Sequence, residues 1–215
     1  MKLVIVYDNE VYKKDSGLKS DWGFSCFIAT DKENILFDTG ANGEILLSNM
    51  GKLGINPRGI SKIVISHEHH DHNGGLEALA DVGVKATLFR TSNVHTSENF
   101  NIITVTKPME IGEKVYTIGR LSNFIPEQSL VLKGEKGFYV LVGCSHPGVK
   151  EILNAAKNYG NIVGLIGGFH GFNNFPVLKD LELICVCHCT QHKKEIKKLF
   201  PRACIDCGVG RIIDI

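Results

Sequence analysis

The stretch "SHEHHDHNGG", residues 66–75, sets four histidines, one glutamate and one aspartate side by side over residues 67–72. Imidazole nitrogens and carboxylate oxygens at this density are metal donors rather than packing groups. The run follows "KIVI" (62–65), a short apolar strand, so it begins where a rigid element hands over to a loop. While the chain stays extended, alternate side chains share a side. His67 and His69 then face one ion together, and Glu68 and His70 face away. If the chain turns next, Asp71 and His72 swing toward a second ion beside the first. "NGG" (73–75) supplies the turn, and a helix follows from about residue 76. The spacing H-x-H-x-D-H therefore predicts two metal ions close together. Zinc suits imidazole with one carboxylate, and iron and manganese are alternatives.

Three later junctions between an apolar strand and a loop carry similar groups. "YVLVGCSHPG" (139–148) ends in Cys144 and His146, and "LELICVCHCTQH" (181–192) ends in Cys187, His188 and Cys189. "GLIGGFHGF" (164–172) presents His170 between glycines that let backbone approach a ligand closely, and His170 is read either as binding substrate or donating a proton, or as part of a structural turn. His192 reads as a polar residue opening a helix, and His95 as a surface histidine. "CIDCG" (204–208) is a C-x-x-C. With Cys185, Cys187 and Cys189 it offers a structural zinc site, but the paired spacing of such sites is missing and buried or edge thiols fit better.

Residues 66–75 resemble the signature of the metallo-β-lactamase superfamily, with His67, His69, Asp71 and His72 at its four ligand positions. "ILFDTG" (35–40) is similar to the superfamily's early strand, which implies that Asp38 holds the metal loop by hydrogen bonds. The resemblance spans roughly residues 24 to 190. It implies an α/β fold, a four-layer αββα sandwich with the metals at one edge of two sheets. The late histidine of the superfamily corresponds to His188, a ligand of the second metal. The chain also departs from the pattern. Where a strand usually ends in Gly-Asp and the aspartate bridges the metals, Cys144 follows Gly143, and His146 stands two residues on. An earlier histidine loop is replaced by "IPEQSLVL" (125–132), which carries Glu127. His146 is expected as a ligand, Cys144 as a ligand, a near-site thiol or plain core, and Glu127 as a near-site group. "GFSCFI", "GCSHPG", "GGFH", "HCT" and "GVG", in that order, resemble the branch that includes the archaeal ribofuranosylaminobenzene 5′-phosphate synthase-like proteins.

The elements that must position these groups are short. Strands are expected near 3–7, 24–29, 35–37, 63–65, 86–89, 102–105, 115–118, 130–132, 138–142, 163–166, 183–186 and 212–215. Helices are expected over 43–53, 75–80, 149–159 and 192–200. Many strands with interspersed helices favour sheets covered by helices in one domain, residues 1–215. The chain is 43% hydrophobic, ample for a core, and its net charge is +1. No basic surplus points to nucleic acid, and the lysines at 193, 194, 197 and 198 read as a solvated helix face. No window approaches a membrane span and no leader segment is seen. With seven cysteines and no leader, a reduced, cytoplasmic setting is expected.

The function expected from these residues is a metal-dependent hydrolase attacking a phosphoryl or acyl centre of a small molecule. Alternatives are transfer of a pterin-type methyl group, an iron redox or sulfur-handling protein, and a metal- or ligand-binding module without turnover. A glutamate commonly replaces His69 in flavin-partnered di-iron members, so the histidine argues against that version. Arg90, Arg120 and Lys107 are the cations near the expected pocket loops; each reads as a surface charge rather than as a contact for an anionic substrate.

Overall fold

The structure is a computed structural model that describes residues 1–94, 96–121 and 124–215. His95 lies outside the described residues. Six strands open the chain: β1 (Lys2–Tyr7), β2 (Ser25–Ala29), β3 (Asn34–Phe37), β4 (Ile60–Val64), β5 (Ala86–Arg90) and β6 (Phe100–Thr104). Seven follow: β7 (Met109–Gly112), β8 (Val115–Thr117), β9 (Leu130–Lys133), β10 (Phe138–Val142), β11 (Ile162–Gly168), β12 (Leu183–Cys187) and β13 (Cys204–Ile205), and β14 (Ile212–Asp214) closes the chain. They form two seven-stranded sheets, β14-β1-β2-β3-β4-β5-β6 and β13-β12-β11-β10-β9-β8-β7. Helices are α1 (Gly43–Lys52), α2 (His70–Asn73), α3 (Leu76–Asp81), α4 (Val149–Ala156) and α5 (Lys193–Leu199).

The strand period of two explains the layers. On β1, Leu3 and Ile5 enter the apolar layer between the sheets, while Val4 and Val6 join the layer holding Leu46 and Met50 of α1 and Leu79 of α3. On β10, Tyr139 and Leu141 face the inter-sheet layer, while Val140 and Val142 meet Ile152 and Leu153 of α4 and Ile196 of α5. Strands apolar on both faces thus require a helix layer outside each sheet, which gives the expected four-layer αββα sandwich. On α5 only Ile196 is buried, so the lysines face solvent.

Two strands were not anticipated. β7 is an edge strand whose Met109 and Glu110 are exposed, and β13 has only two residues, so neither shows a period in the sequence. Two side-chain expectations are corrected. Arg90 is not a surface charge: it is 2% exposed, and its guanidinium grips the Glu68 carboxylate and donates to the Val94 carbonyl at 2.8 Å. Cys207 is not a plain thiol, since its Sγ is bonded to Cys187 with Cα atoms 5.7 Å apart. Cys204 is a buried thiol, as expected.

The pairing pattern sends β1, β3, β4, β10, β11 and β12 out toward one edge of the sandwich. β3 runs parallel to β4, β10 to β11 and β11 to β12, and β1 and β3 both pair antiparallel with β2. Asp38, His67, Cys144, His146, His170 and His188 follow the ends of these strands at that edge.

Candidate metal centre

Asp38 follows β3 and organises the metal loop. Its carboxylate accepts the Ser66 N–H at 2.7 Å and the Ser66 hydroxyl at 2.8 Å, and the other proton it accepts is that of His72 Nδ1, at 2.7 Å. With its hydroxyl proton committed to Asp38, Ser66 Oγ accepts from His67 Nδ1 at 2.9 Å. On the far side, Asn9 Nδ2 donates to the His188 carbonyl, which turns Asn9 Oδ1 toward His188 Nδ1 at 2.9 Å. Three outer partners thus assign the Nδ1–H tautomer to His67, His72 and His188, leaving a bare lone pair on each Nε2.

Those lone pairs converge. His67 Nε2 lies 3.1 Å from His69 Nδ1 and 3.2 Å from His146 Nε2. His188 Nε2 lies 3.1 Å from an Asp71 oxygen, and His72 Nε2 lies 3.7 Å from the same oxygen and 3.2 Å from Cys144 Sγ. His67, Cys144 and His146 offer donor atoms within 4.8 Å of one another, and so do His72, Cys144 and His188. Cys144 Sγ belongs to both groups and therefore stands where a bridging ligand would stand. His188 Nε2, buried without a hydrogen-bond partner among the described residues and aimed at the Asp71 carboxylate, repels it unless a cation lies between them, so this donor set fits divalent metal. Burial and the neighbouring imidazoles hold His67 well below the ordinary histidine range; burial, His170 and His69 bring His146 to about 4. Neutral imidazoles are what a metal ion needs. Burial opposes the charge on Asp71, but the imidazoles of His188 and His72 beside it outweigh burial and keep the carboxylate low.

The loop after β10 is held from below. Glu127, 1% exposed, accepts the backbone N–H groups of Gly143, Cys144 and Ser145 on one oxygen at 3.2, 3.1 and 3.0 Å, and that of His146 on the other at 2.8 Å. Glu127 is therefore not a ligand but the anchor that presents Cys144 and His146. A Cβ on Gly143 would fall 2.2 Å from Ser66 Oγ, so only glycine lets the two sheet edges meet there. Asp38, Ser145, His170 and His188 all hold positive φ, at 57, 60, 48 and 44°, and so strained backbone gathers at this edge.

The turn of the metal loop differs from expectation. Asp71 and His72 reach the second position because α2 begins at His70; Gly74 and Gly75 keep helical φ values of −64° and −84°. Their small size serves close approach instead, since Cβ atoms there would meet the Ala41 and Thr39 carbonyls at 2.4 and 2.5 Å. Glu68 faces away toward Arg90, and His70 is exposed. His170 lies on the solvent side of the centre, its ring 5.1 Å from that of His146. His192 caps α5 beside Glu195.

Three participants escaped the sequence reading. Ser66 lies inside the quoted run, but its relay between Asp38 and His67 depends on three-dimensional contact. Asp8 and Asn9 follow β1, and a polar pair at a strand end was the available signal. Asp8 accepts the His188 N–H at 2.7 Å, and burial raises its carboxyl to about 6. Cys189 Sγ lies 3.3 Å from Cys144 Sγ. Beside His69 opens a cavity of about 650 Å³ lined by Thr91, Ser92, Thr104, Arg120 and Pro126. Exposed Trp22 packs against the other flank, its ring 4.9 Å from His188.

A two-sheet sandwich with histidine, aspartate and cysteine donors gathered at one edge defines a protein of the αββα class with a candidate metal centre. Residues 23–147 match the sequence profile of the Metallo-beta-lactamase superfamily, and the chain belongs to that superfamily. It is 27% identical to the 7,8-dihydropterin-6-methyl-4-(beta-D-ribofuranosyl)-aminobenzene-5'-phosphate synthase of Methanocaldococcus jannaschii, over 76% of this chain and 78% of that protein. Among solved structures it superposes on a metal-dependent hydrolase of the beta-lactamase superfamily with a TM-score of 0.79, at 24% identity and over 100% and 99% of the two chains. It also superposes on the metallo-beta-lactamase fold protein YhfI from Bacillus subtilis, with a TM-score of 0.74 at 12% identity and over 99% of each chain. These likenesses establish the fold. No helix among the described residues is long and apolar enough to cross a membrane.

Proposed function

We propose that this chain is a hydrolase that uses two divalent ions, zinc by preference, against a phosphoryl or acyl centre of a small anionic molecule. The observation that carries this reading is the pair of donor groups that share Cys144 Sγ. His67, His69 and His146 would hold one ion, and Asp71, His72 and His188 the other, with Cys144 between them. A sulfur donor favours zinc or iron over manganese. When bound, the ions supply Lewis acidity: they make water a nucleophile at neutral pH and take up negative charge at the centre under attack.

The chain's own groups do the rest. Asp71, half-buried and held as the carboxylate, accepts a hydrogen bond from the attacking water and orients it. His170, on the solvent side of His146, is placed to give a proton to the leaving group. Arg120, at the wall of the cavity beside His69, is placed to meet an anionic end of the substrate, and the Thr91 and Thr104 hydroxyls to accept or donate around it. The test is turnover of a panel of generic phosphodiesters and esters by zinc-loaded protein. Activity that falls by about 100-fold or more in Asp71→Ala supports the reading, since orienting groups contribute on that scale; a chain that binds two zinc ions and turns over none of the panel overturns it.

A second reading is transfer of a pterin-type methyl group, favoured by the 27% identity to the synthase over three-quarters of the chain. The same ions would then take up the charge of a departing diphosphate. Binding of a pterin compound, read as a rise in melting temperature without hydrolysis of the panel, separates the two.

A further inference from the structure

A second cluster of sulfurs lies behind the centre. Cys185 and Cys187 are alternate residues of β12, so both enter the layer between the sheets, and both are fully buried. Cys207 comes to them from the loop after β13. The Sγ atoms of Cys185, Cys187 and Cys207 all lie within 4.8 Å of one another, with Cys185 3.9 Å from Cys187. A disulfide needs two sulfurs, and the third has no covalent partner.

The charged groups around the cluster are as telling as the sulfurs. The Asp8 carboxylate acts on Cys185, and it is fully buried. One of its oxygens accepts the N–H groups of Asn9 at 2.8 Å and His188 at 2.7 Å; the other has no hydrogen-bond partner among the described residues. Arg211, whose guanidinium lies 4.6 Å above the Tyr12 ring, and Lys193 both bring positive charge to bear on Cys185. The partnerless Asp8 oxygen is a buried acceptor that a cation would satisfy.

We propose that Cys185, Cys187 and Cys207, with Asp8 beside them, form a separate site for a thiophilic divalent cation of the zinc type, open only when the Cys187–Cys207 bond is reduced. In the oxidised chain Cys185 is the one thiol of the three, and three-sulfur binding is closed. A small dithiol opens it: two electrons and two protons pass to the Cys187–Cys207 bond, giving two thiols, and the dithiol leaves as its own disulfide. The incoming cation then displaces protons from the thiols it binds. The proposal is independent of whether the chain is a hydrolase.

Native mass spectrometry on the whole chain, saturated with zinc and freed of excess, tests it without any substitution. The reduced chain, prepared without oxygen, should carry one more zinc than the oxidised chain. Cys207→Ser, at a half-buried position that tolerates a polar atom, should carry the lower number in both conditions. Cobalt in the Cys144→Ser/Cys189→Ser chain gives a second readout: sulfur-to-cobalt charge-transfer absorption should appear on reduction and vanish on oxidation. Equal zinc numbers in the two redox states, with no such absorption in the reduced double variant, overturn the proposal.

Discussion

At the scale of single residues, the centre depends on groups that never touch an ion. Asp38 sets the tautomer of His72 and, through Ser66, that of His67. Asparagine at position 38 keeps an acceptor for the Ser66 N–H and tolerates positive φ, but turns an amide N–H toward His72. Asp38→Asn should therefore lower zinc affinity by about 10–100-fold, read by competition with a chromogenic chelator, while the fold persists. Glu127→Gln leaves one oxygen for Gly143, Cys144 and Ser145 and sets an N–H donor against the His146 N–H. It should cost about 1–3 kcal/mol, read as a shift of the urea midpoint. The convergence of His67 and His69 was legible because alternate residues of an extended run share a side, whereas the helical turn that brings in Asp71 and His72 was not. His146 and His188 were legible from order along the chain. Asp8, Asn9 and Ser66 were not, because their role is to hold a group 180, 179 and 28 positions away.

At the scale of elements, the loops are fastened to strand ends and to one another. Gly168, the last residue of β11, donates to the Gly143 carbonyl at 3.0 Å, and a Cβ there would fall 2.5 Å from that oxygen and 2.7 Å from Cys189 Sγ. Gly168→Ala should destabilise the protein by about 1–3 kcal/mol through overpacking and should also weaken zinc binding, because the displaced sulfur neighbours Cys144. Unchanged binding in the folded variant would mean that the two loops move independently. Arg90 ties β5 to the metal loop through Glu68. Arg90→Ala should cost about 2 kcal/mol, the low side for a buried pair because Glu68 stays partly exposed, measured by urea unfolding. The strands that cross the core announced themselves as apolar runs. β7 and β13 did not, since an exposed edge and a two-residue pairing leave no pattern in composition.

At the scale of the whole molecule, each ion is expected to draw ligands from both sheets: His67 from the end of β4 and His146 from the end of β10. Metal binding to the folded chain alone adds stability by mass action, about 2.7 kcal/mol at a hundredfold excess over the dissociation constant. The melting temperature should rise with zinc concentration and fall with a strong chelator; a melting temperature indifferent to both would place the ions outside the folded centre. Sheets covered by helices were legible because short apolar strands alternate with helical segments, and the four layers followed from the resemblance to the superfamily. The pairing order was not, because it is set by which strands meet and not by any one of them. His67 and His146 stand 79 positions apart, with their Nε2 atoms 3.2 Å apart in the fold. An ion gripped by both is a non-covalent tether across that span. It cannot guide early steps of folding, since its two ends meet only after the sheets have packed. It therefore acts as a late lock, which slows opening of the edge between the sheets and leaves the rate of folding untouched.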